Sequence, residues 1–300
     1  FSWHNQPLDL EFGAAWGRDD GQREGLHQML GQLSWLSEQA GSERRVLALD
    51  EEQELVVDQT TEQVRLLMRV KQVLKERALM LYAQPIHNRE GEGYHEILTR
   101  MRCGDSVIMP DQFIPLIVQF NLSQRFDMLV LETLFSVLHQ HPGQRFSVNL
   151  LPATLMQKDS AVQIIALFQR YAVSPDLITI EVTEEQAFSN ADISQQNLEA
   201  LRAFGCAIAI DDFGTGYANY ERLKHLQADI IKIDGCFVRD ILTDPLDAIM
   251  VKSIVEMARA KQMSVVAEYV ESEPQKARLL ELGVNYLQGY LVGKPQPLGE

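Results

Sequence analysis

From Leu81 to the C-terminus, short apolar runs alternate with segments in which apolar residues recur every three or four positions. The short runs read as buried strands and the 3.6-period segments as amphipathic helices. The pattern predicts strands at Leu81–Ile86, Tyr94–Arg100, Phe146–Asn149, Ile178–Val182, Ala207–Ile210, Ile230–Ile233, Ser264–Ala267 and Tyr286–Gln288. It predicts helices at Pro110–Phe120, Ser123–His139, Asp159–Tyr171, Ser194–Phe204, Ala218–Leu226, Asp247–Lys261 and Glu273–Leu282. Regular alternation of this kind argues for an α/β barrel rather than a sandwich or a bundle. The first two strands are joined only by His87–Gly93, with Gly91 and Gly93 in the link. That is a hairpin, so at least one strand is expected to run antiparallel to the rest.

The N-terminal part follows a different pattern. Leu8–Trp16 reads as a strand, and Gly21–Gly41 as a helix carrying Leu26, Met29, Leu30, Leu33 and Leu36 at helical spacing. Arg45–Leu49 reads as a short strand. This segment is small for a core of its own and looks like the tail end of a domain that starts upstream. Asp50–Met80 contains neither Gly nor Pro, with Glu51, Glu52, Glu54 and Glu62 early and Arg65, Arg69, Lys71, Lys75 and Arg77 late. Acid first and base last suits the helix dipole. It reads as a helical connector between two domains, or as the first surface helix of the second.

Composition narrows the partners. The 300-residue chain is 46% hydrophobic and 23% charged, ordinary for a soluble globular protein. Its net charge is −15 and it has no Lys/Arg-rich run, which argues against binding duplex nucleic acid by neutralising phosphates. A phosphorylated ligand stays compatible if a metal and a few cations are concentrated locally. Cys103, Cys206 and Cys236 are isolated, which suits a reducing compartment and neither a disulfide scaffold nor a zinc site. No apolar stretch approaches the roughly 18 residues of a membrane span. The start at Phe1 rather than Met leads us to expect a fragment, cytoplasmic, whose sensor or membrane anchor would lie upstream.

The candidate chemistry sits where the strands end. The run Cys206–Ile210 leads into Asp211 and Asp212, then Phe213-Gly214-Thr215-Gly216. Two adjacent carboxylates repel and need protons or a cation to coexist, and hard cations take oxygen ligands. Alone, the pair fits a turn equally well. Other strands add Glu96, Asn149, Glu181 with Glu184 three on, Lys232 with Asp234, Glu268 with Glu271 three on, and Gln288. Singly these have plain readings: surface acids, a turn-forming Asn, a snorkelling Lys. Together they form a ring of acids with one Lys at one mouth of a barrel, the mouth that carries chemistry in such folds. The ring fits a metal site for phosphoryl chemistry, with Lys232 holding or deprotonating a water.

The ordered series Tyr82-Ala83-Gln84-Pro85-Ile86, Glu96-Ile97-Leu98-Thr99-Arg100, Ser147-Val148-Asn149-Leu150, Glu181-Val182-Thr183-Glu184, Asp211-Asp212-Phe213-Gly214-Thr215-Gly216, Ile231-Lys232-Ile233-Asp234, Val266-Ala267-Glu268 and Gln288-Gly289-Tyr290 before Lys294-Pro295-Gln296-Pro297 resembles the EAL domain. That bacterial family hydrolyses or senses cyclic di-GMP. The resemblance implies a modified (β/α)8 TIM-type barrel with one antiparallel strand, usually dimeric, spanning residues 76–300. It implies metal-dependent cleavage of cyclic di-GMP to linear pGpG in second-messenger signalling, with Mg²⁺ or Mn²⁺ at a two-metal site. The alternative is an idle EAL domain that senses the nucleotide. By motif position, Glu96, Asn149, Glu181 and Asp211 would ligate one metal, and Asp211, Asp212 and Glu268 the second. Lys232 would sit on the attacking water. Glu184 would hold the Asp212–Tyr217 loop and Glu271 would support the site. Gln84, Leu98, Arg100, Asp234 and Gln288 would meet the dinucleotide, Arg100 through phosphate.

Four departures stand out: Ile97 inside the signature, Met101 for the usual Trp, Tyr269 where Gly is common, and Ala218-Asn219 for a Ser pair. None removes a ligand. Residues 1–49 resemble more weakly the end of a GGDEF domain, with residues 50–75 as linker. The diagnostic Gly-Gly-Asp-Glu-Phe loop is not in the chain. The partners implied are cyclic di-GMP, an upstream sensory or GGDEF domain of the same chain, and a second copy in a homodimer.

Overall fold

A computed structural model gives the arrangement. The described residues are 54–104, 106–187, 192–214 and 227–298, with four two-residue strands nearer the N-terminus; side chains are described from residue 63. The chain divides into two compact units, Phe1–Lys75 and Glu76–Glu300.

In the first unit Ser2–Trp3 pairs antiparallel with Gln6–Pro7, and Ala15–Trp16 parallel with Leu47–Ala48. The last pair falls inside the two expected strands, and the expected Gly21–Gly41 helix lies outside the described residues. Helix α1 spans Glu54–Glu76, ending before the expected Met80, and residues 50–53 lie outside the described residues. Its C-terminal limit is conformational: Arg77 takes φ 59°, a left-handed conformation that cannot continue a right-handed helix.

The second unit is an eight-stranded barrel. Its strands are β1 (Leu79–Asn88), β2 (Gly93–Cys103), β3 (Phe146–Asn149), β4 (Ile178–Thr183), β5 (Ala207–Phe213), β6 (Ile230–Ile233), β7 (Ser264–Ala267) and β8 (Tyr286–Gln288). Between them run α2 (Pro110–Gln119), α3 (Ser123–Val137), α4 (Pro152–Leu155), α5 (Ser160–Tyr171), α6 (Glu184–Ala187), α7 (Asp192–Phe204), α8 (Gly235–Arg239), α9 (Pro245–Ala260) and α10 (Glu273–Leu282). The expected helix at Ala218–Leu226 lies outside the described residues. β1 pairs antiparallel with both β2 and β8, and every other neighbouring pair in the ring is parallel. The one reversed strand is therefore β1, as the short hairpin at Asn88–Gly93 demands. β1 and β2 outrun their expected lengths and continue past the ring, where Ser106–Ile108 pairs with the end of β2. α4, α6 and α8 are one-turn helices too short to leave a periodic signal.

Helical faces close the outside of the barrel with Leu134, Ile164, Leu201, Val251 and Leu279, each fully buried. Ile97 is buried as well. It lies on the opposite face of β2 from Glu96, as strand alternation requires. Inside the ring, Ile86, Tyr94 and Val266 form a buried cluster with Ile230 and Tyr286 packed against it. This is a layer of inward side chains from different strands, as in other barrels. The same alternation fixes what lies one layer up, because residues two apart on a strand share a face. Two positions toward the mouth from Ile86, Tyr94, Ile230, Val266 and Tyr286 stand Gln84, Glu96, Lys232, Glu268 and Gln288. An apolar floor thus carries a polar layer.

Candidate metal centre

β5 departs from plain strand geometry where the two Asp sit. Ile210 pairs with Ile231 and Phe213 with Ile233, so Asp211 and Asp212 together face the single residue Lys232. Two residues opposing one is a β-bulge. Asp212 completes it with φ 53°, a conformation that Asp tolerates better than most residues. On a regular strand the two carboxylates would point to opposite faces; the bulge turns both toward the site. The expected strand end at Ile210 is therefore too early, because the ladder resumes beyond the bulge.

Lys232 is fully buried, and its Nζ lies 2.8 Å from Glu181 Oε2, 2.8 Å from Glu268 Oε1, 3.0 Å from Glu96 Oε2 and 3.1 Å from Asp211 Oδ1. Burial alone would lower its pKa, but the four carboxylates outweigh that and hold it well above the ordinary lysine value. The ammonium is locked on. The acids respond differently. Burial raises Glu96, yet Lys232 and hydrogen bonds from Gln288 (2.7 Å), Lys232 and Asn149 (2.9 Å) leave it below the usual range. Burial and the neighbouring Glu96 raise Glu181 well above its usual value against the pull of Lys232. Burial pushes Glu268 up to about 8, with Lys232 offsetting part of the shift and Asp211 adding to it. Burial and Asp211 also raise Asp212. Like charges at this spacing drive such shifts.

Carboxylate oxygens of Glu96, Glu181 and Asp211 lie within 4.8 Å of one another, as do those of Asp211, Asp212 and Glu268. Asp211 belongs to both groups. Glu181 Oε1 is buried and accepts no hydrogen bond, and the buried Asp211 Oδ1 meets the Lys232 ammonium at 3.1 Å without forming one. A buried acceptor without a donor is costly, and an all-oxygen donor set with open lone pairs fits a hard divalent cation.

The other expected residues fall into place around this layer. Gln288 Nε2 donates to Glu96 Oε2 and, at 3.2 Å, to Gln84 Oε1, while Gln84 Nε2 donates to the Gly293 carbonyl at 3.2 Å. Both amides, expected to meet the nucleotide, thus brace Glu96. Leu98 and Arg100 are half-buried and share the Glu96 face of β2, beyond the ring. Arg100 donates to the Thr99 carbonyl and lies 5.5 Å from the Tyr82 ring centroid. Asp234 caps α8, its Oδ1 accepting from Cys236 N–H at 2.8 Å. Glu184 is buried and its Oε2 accepts from Gly214 N–H at 2.8 Å; Thr215–Tyr217, the rest of that loop, lies outside the described residues, as do Ala218 and Asn219. Glu271 is exposed, and its N–H donates to Gln275 Oε1 at 3.0 Å.

Tyr269 takes φ 55°, a left-handed conformation that glycine adopts without steric cost. Its ring lies over Gly235, where an added Cβ would fall 2.3 Å from Tyr269 Cδ2. Two buried polar residues close to the ring escaped the sequence reading, Asp127 and Gln186. Asp127 left a signal: it shares a helical face with the fully buried Leu131 and Leu134, where apolar residues belong.

The family model of the EAL domain matches residues 67–295. The chain belongs to the EAL-domain family. PdeA of Escherichia coli K12, named a probable cyclic di-GMP phosphodiesterase, is 59% identical over 302 residues, which are 99% of this chain and 41% of PdeA. PdeF of the same organism, named a cyclic di-GMP phosphodiesterase, is 38% identical over 309 residues with the same two shares. The chain thus spans about two fifths of the length of these curated relatives. Among solved structures, the MucR phosphodiesterase in complex with c-di-GMP is 34% identical with a TM-score of 0.72, covering 78% of this chain and 98% of that one. The EAL domain of Xanthomonas citri FimX is 20% identical with a TM-score of 0.74, covering 80% of this chain and 97% of its own, a likeness of fold. In this EAL domain no described helix is long and apolar enough to cross a membrane.

Proposed function

We propose that this EAL domain hydrolyses one phosphodiester of cyclic di-GMP to linear pGpG with the help of two divalent cations, Mg²⁺ or Mn²⁺. The observation that carries the reading is the pair of acid groups sharing Asp211 around a fully buried Lys232. The names of the relatives and the MucR complex agree with it. The idle-sensor alternative draws no support, because no acid of the ring is missing.

Glu96, Asn149, Glu181 and Asp211 would hold one cation, and Asp211, Asp212 and Glu268 the other. The cations would supply Lewis-acid charge stabilisation at the phosphodiester. Lys232 takes the role of donor rather than base, since four carboxylates within 3.1 Å keep its ammonium intact. It orients a water by hydrogen bonding and stabilises negative charge that develops beside it. Gln288 and Gln84 keep Glu96 aimed at the ring. Glu184 holds the backbone at Gly214, three residues past Asp211. Arg100, with Leu98, offers a fork of donors above the ring for a phosphate, while Asp234 and Tyr269 border the Glu268 side. Residues 1–49 read as the end of a GGDEF-like domain and 50–75 as its linker, in a homodimeric cytoplasmic signalling protein.

The test is incubation of the purified chain with cyclic di-GMP and Mg²⁺ or Mn²⁺, separating nucleotides over time. The expected result is accumulation of pGpG, abolished by chelator and by Glu96→Ala. Intact nucleotide under all metal conditions, or a Glu96→Ala variant that turns over at the native rate, would sink the proposal.

A further inference from the structure

β3 ends at Asn149, and the chain then passes through Leu150 and Leu151 into α4. The Leu150–Leu151 peptide is gripped at both ends. Its carbonyl accepts from Gln186 Nε2 at 3.2 Å, and its N–H donates to Asp127 Oδ2 at 2.9 Å. Gln186 is 5% exposed and Asp127 is fully buried. Each is anchored in turn. Gln186 Oε1 accepts from Thr183 N–H at 2.7 Å and from Thr183 Oγ1 at 3.0 Å. Asp127 Oδ2 also accepts from Thr154 Oγ1 at 2.5 Å. Leu150 N–H donates to the Glu181 carbonyl at 3.0 Å.

Asp127 and Gln186 satisfy peptide and hydroxyl groups that apolar side chains would leave unpaired, and both are desolvated to do so. Asn149 gives them a purpose. It is the neutral and exposed member of the ring, and its Nδ2 makes a single hydrogen bond, to Glu96 Oε1. A turn of the following peptide would swing its amide off the ring. We infer that Asp127 and Gln186 are positioning residues for divalent metal binding, acting through the Leu150–Leu151 peptide to keep Asn149 in a ligand's orientation. The inference rests on the reading of Asn149 as a metal ligand. Gln186 shares α6 with Glu184, so one helical turn steadies both the segment after Asn149 and the backbone after Asp212.

The experiment measures Mn²⁺ affinity by calorimetry without nucleotide, with circular dichroism to verify folding. Partners that orient metal ligands are worth about 10- to 100-fold in affinity. Gln186→Met is expected to weaken Mn²⁺ binding by about that factor. Asp127→Asn, whose amide oxygen can accept both bonds, is expected to stay within about threefold of the parent. Asn149→Ala is expected to weaken binding, and adding Gln186→Met to it to cost nothing more, since the two act as one unit. Gln186→Glu keeps an acceptor for Thr183 and sets a carboxyl oxygen against the Leu150 carbonyl in place of the donor, so it carries the test if Gln186→Met fails to fold. Parent-like affinity in folded Gln186 variants, or losses that add to that of Asn149→Ala, would overturn the clamp alone. Parent-like affinity in Asn149→Ala would instead overturn the ligand reading beneath it.

Discussion

Lys232→Met is the sharpest perturbation, since it removes the charge at nearly constant volume. The ammonium lies within 2.8–3.1 Å of oxygens from four carboxylates and is shielded from solvent. Removing one partner of a buried ionic group typically costs about 3–5 kcal/mol, because the remaining charges are left uncompensated. For a domain of this size each kcal/mol moves Tm by about 2–4 °C, so the metal-free variant is expected to melt about 6–20 °C below the parent at pH 8. The deficit should shrink as pH falls. Glu268, raised to about 8, and Glu181, raised well above its usual value, bind protons more tightly in the folded chain than in the unfolded one. The stability that protonation lends them is present at low pH and is lost as pH rises through the folded pKa. Without Lys232 to lower them, both carboxyls shift further up and take protons sooner. Divalent metal should raise the Tm of parent and variant alike, by binding the folded chain in preference to the unfolded one. The assay is thermal unfolding in chelator and in Mn²⁺, at pH 6 and pH 8, beside nucleotide turnover, which should be lost throughout. A metal-free variant with the parent's Tm at pH 8 would refute the reasoning, as would a deficit that deepens on acidification.

Three further outcomes are expected. Glu184→Ala frees the Gly214 N–H and should lower kcat by about 10- to 100-fold through the Asp211-Asp212 segment; unchanged kcat would mean that the contact is incidental. Gly235→Ala places a Cβ against the Tyr269 ring and should destabilise by about 1–3 kcal/mol, a loss that Tyr269→Ala relieves in the double variant; simple additivity would show that the ring is not the obstacle. Burial raises the Asp127 carboxyl to about 7, so its protonation stabilises the fold below the unfolded pKa and that contribution is lost as pH rises through 7. Asp127→Asn should therefore gain on the parent between about pH 4 and 7, by no more than about 4 kcal/mol at pH 8; an equal difference at pH 5 and pH 8 in denaturant unfolding would rule this out.

The parallel strands were legible because strands buried on both faces read as unbroken apolar runs. Phe146–Asn149, Ile230–Ile233, Ser264–Ala267 and Tyr286–Gln288 begin and end where the pattern puts them. The ring of acids was legible because charges interrupt those runs at the same height on successive strands. The bulge at Asp211-Asp212 was not, since hydrophobic alternation reports which face a residue takes only while the ladder stays regular. Nor was the extension of β1 to Leu79 and Asn88 and of β2 to Cys103, where Leu79, Met80, His87 and Asn88 are all half-buried and carry no clean alternation. Gln186 was invisible for another reason: its bonds to Leu150 and Thr183 are tertiary, and a Gln on a one-turn helix has no period to violate. Lys232 stands inside β6 with Ile233 after it, within the expected strand and one layer above Ile230, and its burial among acids defines its chemistry.

That placement decides what the cluster needs. With every group ionised, Glu96, Glu181, Asp211, Asp212 and Glu268 carry five negative charges against one positive charge on Lys232, leaving four. An apolar floor of Ile86, Tyr94 and Val266 beneath them offers no counter-charge, and a low-dielectric surround makes each uncompensated charge expensive. Protons can answer part of this, which is the sense of the raised Glu181 and Glu268. Two divalent cations would answer all of it and bring the group to neutrality before an anionic diester arrives. Lys232 has three N–H donors for four carboxylates, so at least one of its contacts is Coulombic attraction without a hydrogen bond. Cations that draw carboxylate oxygens toward themselves would release a donor to meet a water. Metal binding and a working Lys232 would then be one requirement: the ammonium holds the acids together without metal, and would orient water once cations shared the load.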